Sequence, residues 1–282
     1  LFDSDALTAV EEKKFNCVAK TIDMKSTALI TGASKGLGAE FARLFASKQV
    51  DLILVARSEN ELKEIKSELE NRFNISVRTI VSDLSLPENV RSVYDEIKAD
   101  RIEVDYLVNN AGFGDFGDFS DTEWERHEQM INLNMTALTQ FCYLFLQDWI
   151  SRGRGKILNV ASTAAFQPGP GMSVYFASKA YVASFSQAIA YECRKHGITV
   201  TALCPGPVKT NFGKAARMKH PNGFVKGMNT PSPAEVVAFG YRAMMKGRTL
   251  AIHGRLNRIV ANIVRFIPRS WQLYLSAKVI SW

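Results

Sequence analysis

The sequence predicts an α/β fold, a doubly wound parallel sheet with helices on both faces, and three observations carry that prediction. Short apolar, β-rich runs alternate with helical patterns of about 10–15 residues. The first run passes through the glycine-rich turn TGASKGLG into the helical pattern AEFARLFASK, the strand–turn–helix setting in which such a turn binds phosphates. The carboxyl ends of successive runs carry TGASKG, AR, SDL, NNAG, NVAS and PGPVKT, so the polar chemistry collects along one sheet edge, where ligands bind such sheets.

Taken in order, residues 26–31 (STALIT) form the first strand. Gly32, Gly36 and Gly38 then permit a tight turn, close approach of a pyrophosphate and close packing of the next helix, whose N-terminus faces the phosphates. Their spacing is Gly-x-x-x-Gly-x-Gly and not Gly-x-Gly-x-x-Gly, so in isolation it reads equally as a plain glycine-rich turn. Residues 51–57 (DLILVAR) form a second buried strand, with SENELKEIKSELENRF as its return helix. Residues 76–84 (SVRTIVSDL) form a third, followed by a helix over PENVRSVYDEIK. Residues 103–112 (EVDYLVNNAG) form a fourth that ends in a polar turn. The strand-like KILNVAS leads to Ser162, VYFASKAYVASFSQAIAYEC reads as a long helix, and residues 198–204 (ITVTALC) form the next strand.

The 282 residues, 46% hydrophobic and 22% charged, suffice for one large core or two small domains. A net charge of +7 suits nucleic acid, membrane or acidic ligands. The sequence has no nucleic-acid motif, repeat or low-complexity segment, so nucleic acid is not expected as a partner. Cys17, Cys142, Cys193 and Cys204 lack metal-ligand or CxxC spacing, which predicts no metal and reduced thiols in a cytoplasmic protein. No uninterrupted apolar run approaches the roughly 18 residues needed to span a bilayer. Residues 1–23 lack an apolar signal-peptide centre. They are expected to be a loosely attached N-terminal arm before a natural-looking start at Met24-Lys25, the alternative being a docked surface helix.

The chemistry is concentrated in residues 162–179, STAAFQPGPGMSVYFASK. Tyr175 and Lys179 are four apart on a helix and share a face. A phenol with an ordinary pKa near ~10 is a poor acid or base at neutral pH, and an ammonium beside it is expected to draw that value down. Ser162, at a neighbouring strand end, can hold a substrate oxygen, which makes an acid/base site for carbonyl and alcohol chemistry. Alone, Tyr-x-x-x-Lys reads more often as a lysine packed along an aromatic ring.

Together, Thr31-Gly32-Ala33-Ser34-Lys35-Gly36-Leu37-Gly38, Asp83-Leu84, Asn109-Asn110-Ala111-Gly112, Ser162, Tyr175-Phe-Ala-Ser-Lys179 and Pro205-Gly206 resemble the short-chain dehydrogenase/reductase family, single-domain branch, over residues 26–252. The resemblance implies a Rossmann-type sheet of about seven strands in the order 3-2-1-4-5-6-7. It implies Tyr175 as general acid/base, Lys179 lowering its pKa and bonding the nicotinamide ribose, and Ser162 orienting the substrate oxygen. A helix asparagine holds a water in a proton relay in this family. Asn134 fits that place better than Asn132, by its distance from Asn110 and by Ala137 three residues on. Gly32, Ser34, Lys35, Gly36, Leu37 and Gly38 form the phosphate turn. Asp83 and Leu84 flank the adenine, Asn110, Ala111 and Gly112 line the cofactor, Val208 and Thr210 hold its carboxamide, and Pro205 and Gly206 belong to the same cofactor-binding set. Asn109 reads as a structural link between strands.

Relatives that use NAD usually end the second strand with an acid on the ribose, whereas here the chain reads Val55-Ala56-Arg57-Ser58. Arg57 and Lys35 near the ribose 2′ position predict NADP(H). Phe113, Phe116, Phe166, Met172, Phe212, Met218, Phe224 and Met228, from the loop after NNAG, the segment before Tyr175 and an expected lid over 209–231, are candidates for an apolar pocket wall. That wall suits a lipophilic ketone or acyl chain, and residues 157–170 resemble bacterial ketoacyl reductases. The expected function is NADP(H)-dependent reduction of a lipophilic carbonyl, or the reverse. The alternatives are a nucleotide-binding redox sensor without turnover and a sugar-nucleotide epimerase or dehydratase.

Helices around 133–150 and 175–196 resemble those through which the family forms dimers or tetramers, so a homo-oligomer is expected. The chain then divides into the arm at 1–23, a dinucleotide-binding and catalytic domain at 24–253, and a basic amphipathic extension at 254–282. After Glu235 there is no acidic residue, while Arg242, Lys246, Arg248, Arg255, Arg258, Arg265, Arg269 and Lys278 follow. Leu256, Ile259, Val260, Ile263, Val264 and Ile267 fall at helical spacing, Pro268 should break the helix, and Trp271, Leu273, Tyr274, Leu275, Val279 and Trp282 continue the apolar content. Two readings stand for this extension. It folds back over the substrate cleft or a subunit interface, or it lies on an anionic membrane as a peripheral contact.

Overall fold

The computed structural model describes residues 25–218 and 230–280, so the expected arm at 1–23, Cys17, Phe224, Met228 and Trp282 lie outside the described residues. Seven strands form one sheet in the order β3-β2-β1-β4-β5-β6-β7. They are β1 (Thr27–Thr31), β2 (Asp51–Ala56), β3 (Val77–Val81), β4 (Tyr106–Asn109), β5 (Gly155–Val160), β6 (Ile198–Cys204) and β7 (Leu250–Ile252). Every neighbouring pair is parallel, as the alternating pattern requires. β2, β3 and β4 stop short of their expected ends. Arg57, residues 82–84 and residues 110–112 leave the ladder to form loops at its carboxyl edge. β7 is only three residues long, too short for periodicity to single out.

Both faces of the sheet are covered. On one, α1 (Gly36–Ala46), α2 (Glu59–Phe73) and α8 (Pro233–Met245) bury Phe41, Phe45, Leu62 and Val236. On the other lie α3 (Pro87–Ala99), α4 (Trp124–Ile131), α5 (Leu138–Arg152) and α6 (Ser173–Cys193), burying Val93, Phe141, Phe145, Trp149 and Val182. Each such side chain contributes about 1.5–3 kcal/mol on burial. Trp149 also donates its indole N–H to the Val104 carbonyl at 2.8 Å, and Gly155 is required beneath it, because a Cβ there would lie 2.2 Å from the indole ring.

Between α4 and α5, Asn132–Ala137 widens into a π-helical turn, a departure that recurs at functional sites. The short α7 (Phe212–Ala215) follows β6. Beyond β7 come α9 (Arg255–Ile263), a 3-10 turn (Val264–Phe266) and α10 (Arg269–Ile280). Pro268 separates the two helices as its missing N–H dictates. Among the described residues, no helix is long and apolar enough to cross a membrane.

Candidate active site

The glycine turn is shaped by backbone conformations that favour glycine. Gly32 and Gly36 have φ of +63° and +56°, and a Cβ on Gly38 would lie 2.1 Å from the Gly32 carbonyl oxygen. Thr31 and Asn110 hold this turn against the end of β4. The Thr31 hydroxyl accepts the N–H groups of Asn110 and Ala111, each at 3.0 Å. The Asn110 amide donates to the carbonyls of Thr31 at 2.9 Å and Gly32 at 3.1 Å. Asn110, expected to line a cofactor, thus commits its side chain to the turn. Asn109 is buried and donates to Asn159 across β4 and β5 at 2.9 Å. Thr210 closes from the far side, its methyl 3.8 Å from where a Gly36 Cβ would stand.

These features fit a dinucleotide. The start of α1 leaves backbone donors without a side-chain cap, and the turn that presents them is packed so closely on the end of β4 and on Asn134 that Gly32, Gly38 and Gly112 admit no Cβ. At its outer end Arg57 lies 3.7 Å from Asp83, and Lys35 pairs with Glu61. The second strand lacks a terminal acid, as expected, yet α2 supplies one in Glu61, a residue the sequence reading did not single out. Burial works to raise the Asp83 pKa, but hydrogen bonds from Ser85 and the Arg57 charge hold it below the ordinary value. Leu84 is buried in the core. Pro205 accepts the Thr163 N–H at 2.9 Å, Val208 packs on the core, and Gly206 lies against Asn257 of α9.

β5 delivers Ser162 and α6 delivers Tyr175 and Lys179. The Ser162 hydroxyl accepts the Ala164 N–H at 3.1 Å and is also a hydrogen-bond partner of the Tyr175 phenol. Lys179, buried, donates to the Val160 carbonyl at 2.8 Å, and its Nζ lies 5.8 Å from the Tyr175 ring centroid. Burial pushes the phenol up to about 12, opposed only by Ser162. Burial pushes the lysine down to about 8. The ammonium is turned to the Val160 carbonyl, and desolvation dominates both groups, outweighing the drawing-down of the phenol expected from Lys179. A phenol that keeps its proton is a donor to a carbonyl oxygen.

Asn134 is buried in the π-helical turn. Its amide donates to the Phe113 carbonyl at 2.9 Å and to Ser178 at 3.0 Å, and its Oδ1 accepts the Phe113 N–H at 3.1 Å. A Cβ on Gly112 would stand 2.8 Å from that Oδ1 and 3.5 Å from the Lys179 ammonium. Asn134, Gly112 and Lys179 therefore meet at one point.

An apolar cluster covers Tyr175, built from Ala164, Met172, Phe176 and Ala216 with Phe116, Phe212 and Met218. The Phe212 ring lies 5.2 Å from that of Tyr175. Of the other expected wall residues, Phe166 packs on the main core and Phe113 lies under the Arg126 guanidinium at 4.3 Å. Sequence reading quoted Thr31 and Ser178 within motifs but gave neither a role, and it did not single out a buried carboxylate, Asp115, bound by Arg217. Thr31 carried a signal, since it immediately precedes the glycine turn.

A family model described as short chain dehydrogenase matches residues 26–221. The very-long-chain 3-oxoacyl-CoA reductase of Rattus norvegicus is 30% identical over 250 residues, covering 85% of this chain and 77% of that protein. Among solved structures, a short-chain dehydrogenase from Sphingobium yanoikuyae in complex with NADPH superposes with a TM-score of 0.77 at 30% identity, covering 86% of this chain and 94% of the other. The bulky-bulky ketone specific alcohol dehydrogenase of Comamonas testosteroni gives a TM-score of 0.72 at 26% identity, covering 87% and 96%.

Proposed function

Because this chain belongs to the short-chain dehydrogenase family, we propose that it is an NADP(H)-dependent oxidoreductase that reduces the carbonyl of a lipophilic ketone or ketoacyl compound to an alcohol, or runs the reverse. The observation that carries this reading is geometric: Tyr175 stands beside Ser162, with Lys179 Nζ 5.8 Å from its ring centroid, under an apolar cluster at the carboxyl edge of the sheet. Names of similar proteins support it: an oxoacyl-CoA reductase, a bulky-ketone alcohol dehydrogenase and an NADPH complex.

Ser34, Lys35, Leu37 and the glycine turn would hold the pyrophosphate and, with Arg57, the 2′-phosphate. The nicotinamide, when bound, supplies or accepts the hydride. Ser162 holds the carbonyl oxygen by hydrogen bond, and Tyr175 passes its Oη proton to that oxygen as negative charge develops there. Lys179, charged below its pKa of about 8, stabilises the phenolate left behind. Asn134, whose side chain fixes Phe113, is assigned a relay water that returns the proton. The unit is read as residues 24–253 with an extension at 254–282, in a cytoplasmic setting suited to the free thiols of Cys142, Cys193 and Cys204. It is read as a homo-oligomer through the outward Tyr143, Ile150 and Tyr191 of α5 and α6.

The test is NADPH oxidation across a panel of ketones, 3-oxoacyl thioesters and sugars, with Tyr175→Phe as control. Turnover of apolar carbonyls that the control loses is the expected result. Cofactor binding without turnover across the panel would replace this reading with a nucleotide sensor.

A further inference from the structure

The C-terminal helices carry a surface that the proposed reaction does not use. α9 and the first residue of the turn after it present three stripes. Asn257, Ala261 and Val264, at i, i+4 and i+7, face the body of the protein: Ala261 and Val264 are buried, and Asn257 lies against Gly206 and donates to the His253 carbonyl at 2.8 Å. Arg255, Arg258 and Asn262 form an exposed polar stripe. Between these two, Leu256, Ile259, Val260 and Ile263 form a third stripe, apolar and 46–66% exposed.

The outward apolar surface continues past the turn. Phe266 is 88% exposed, and α10 turns Trp271 and Tyr274 outward at 68% and 66%. α10 is held on its inner side, where Ser276 donates to the Pro168 carbonyl at 2.5 Å. The extension is thus docked by a narrow stripe that includes Asn257, Ala261, Val264 and Ser276, while Leu256, Ile259, Val260, Ile263, Phe266, Trp271 and Tyr274 face away.

Charge decides what suits this face. No acidic residue follows Glu235, and Arg255, Arg258 and Arg269 border the apolar side chains. A second copy meeting this face would oppose cation with cation, which is unfavourable. An anionic lipid surface neutralises the same cations while the apolar side chains enter the headgroup–acyl boundary. Trp271 and Tyr274 have the amphipathic rings that settle at such boundaries. Neither helix is long enough to cross.

We infer that α9 and α10 form an in-plane anchor that lays the Leu256–Ile259–Val260–Ile263 stripe into an anionic lipid surface. Pro168 belongs to the segment between Ser162 and Tyr175, so the anchor sets the catalytic cleft beside the bilayer. That last step, delivery of a membrane-partitioned substrate, rests on the proposed function, whereas lipid binding does not.

Flotation of the full chain tests this independently of turnover. It should rise with phosphatidylcholine vesicles containing about 30 mol% phosphatidylserine, and at least about tenfold less with phosphatidylcholine alone. About 0.5 M NaCl should reduce the bound fraction severalfold. Ile259→Glu with Ile263→Glu should abolish flotation at unchanged Tm and NADPH oxidation, and Arg255→Gln with Arg258→Gln should weaken it roughly tenfold or more. No flotation of the unaltered chain with phosphatidylserine overturns the inference, as does flotation that survives the two glutamates. If those glutamates instead split an oligomer by light scattering while vesicles bind neither form, the stripe is a subunit interface and the anchor falls.

Discussion

Arg217 donates two hydrogen bonds to the carboxylate of Asp115, from Nε at 2.8 Å and from Nη2 at 2.6 Å, across 102 residues of sequence. Arg126 adds a charge at 3.5 Å and bonds the Ala215 carbonyl. With the Phe116 N–H on the Ala216 carbonyl at 2.9 Å, this clamp joins the loop after Gly112 to the end of α7 and closes the apolar cluster over Tyr175. Burial works to raise the Asp115 pKa, but the Arg217 bonds and the charges of Arg217 and Arg126 hold it below the ordinary 3.8.

Asp115→Asn should therefore loosen the substrate wall while leaving Tyr175 and Lys179 in place. Half-exposed Arg217 limits the loss to about 1–3 kcal/mol, read as a lower Tm. KM for the carbonyl should rise more than kcat falls. The folded carboxyl has the lower pKa, so the clamp contributes fully above the ordinary value and is lost as pH falls through the folded one. Thermal unfolding of the two forms should converge in acid, and a gap that persists there would contradict the assignment.

Tyr175→Phe removes only the hydroxyl that Ser162 meets. Its kcat/KM should fall by ~10²–10⁴, the range for a positioned general acid. NADPH affinity, followed by fluorescence titration, should stay within a factor of about two, since the proton is needed for the reaction and not for binding. Equal losses in binding and turnover would mean a structural tyrosine.

Much of this was legible in the sequence, and the parts that were not have physical causes. Strand–helix alternation and the polar strand ends identified the sheet and its chemical edge, because burial on both faces forces continuous apolar runs. The same pattern does not report where side chains turn. NNAG does not reveal that Asn110 points back to Thr31 and Gly32. Asp115 and Arg217 have no local signal at their separation. The direction of the Tyr175 shift depends on desolvation, which spacing on a helix does not contain. In α9 and the turn after it, periodicity predicted an apolar stripe but not that Asn257, Ala261 and Val264 would be the residues to dock.

Lys179 should make reduction sensitive to pH near neutrality. Burial lowers its pKa from 10.5 to about 8, so the ammonium that stabilises the phenolate is present below that value and lost above it. The kcat/KM for reduction should fall as pH rises through about 8. Lys179→Arg should keep the charge and move that limb to higher pH. Stability follows the opposite course. Between about 8 and the ordinary 10.5 the unfolded chain binds more protons, so the lysine's contribution rises with pH. Above the ordinary 10.0 the unfolded tyrosine ionises first, and stability declines toward about 12. An alkaline limb that Lys179→Arg leaves unmoved would assign it to another group.

Cofactor choice turns on a competition among exposed charges. Arg57 stands 3.7 Å from Asp83 and Lys35 pairs with Glu61, with the two cations 70% and 65% exposed. Such surface pairs contribute only about 0–1 kcal/mol, so neither carboxylate withholds its cation from a stronger anion. A ribose 2′-phosphate carries nearly two charges and accepts a bidentate guanidinium, and one charged hydrogen bond contributes about 1.5–3 kcal/mol. Arg57→Ala should thus lower the ratio of kcat/KM for NADPH over NADH by roughly 10- to 100-fold. Glu61→Gln should act in the other direction, raising the ratio a few-fold by freeing Lys35 and removing a negative charge that repels the phosphate. Measured together, the two variants separate recognition from general surface charge. A ratio that follows net charge alone, with Arg57→Ala no worse than neutralising Arg154 at the opposite, amino-terminal edge of the sheet, would remove Arg57 from the phosphate site.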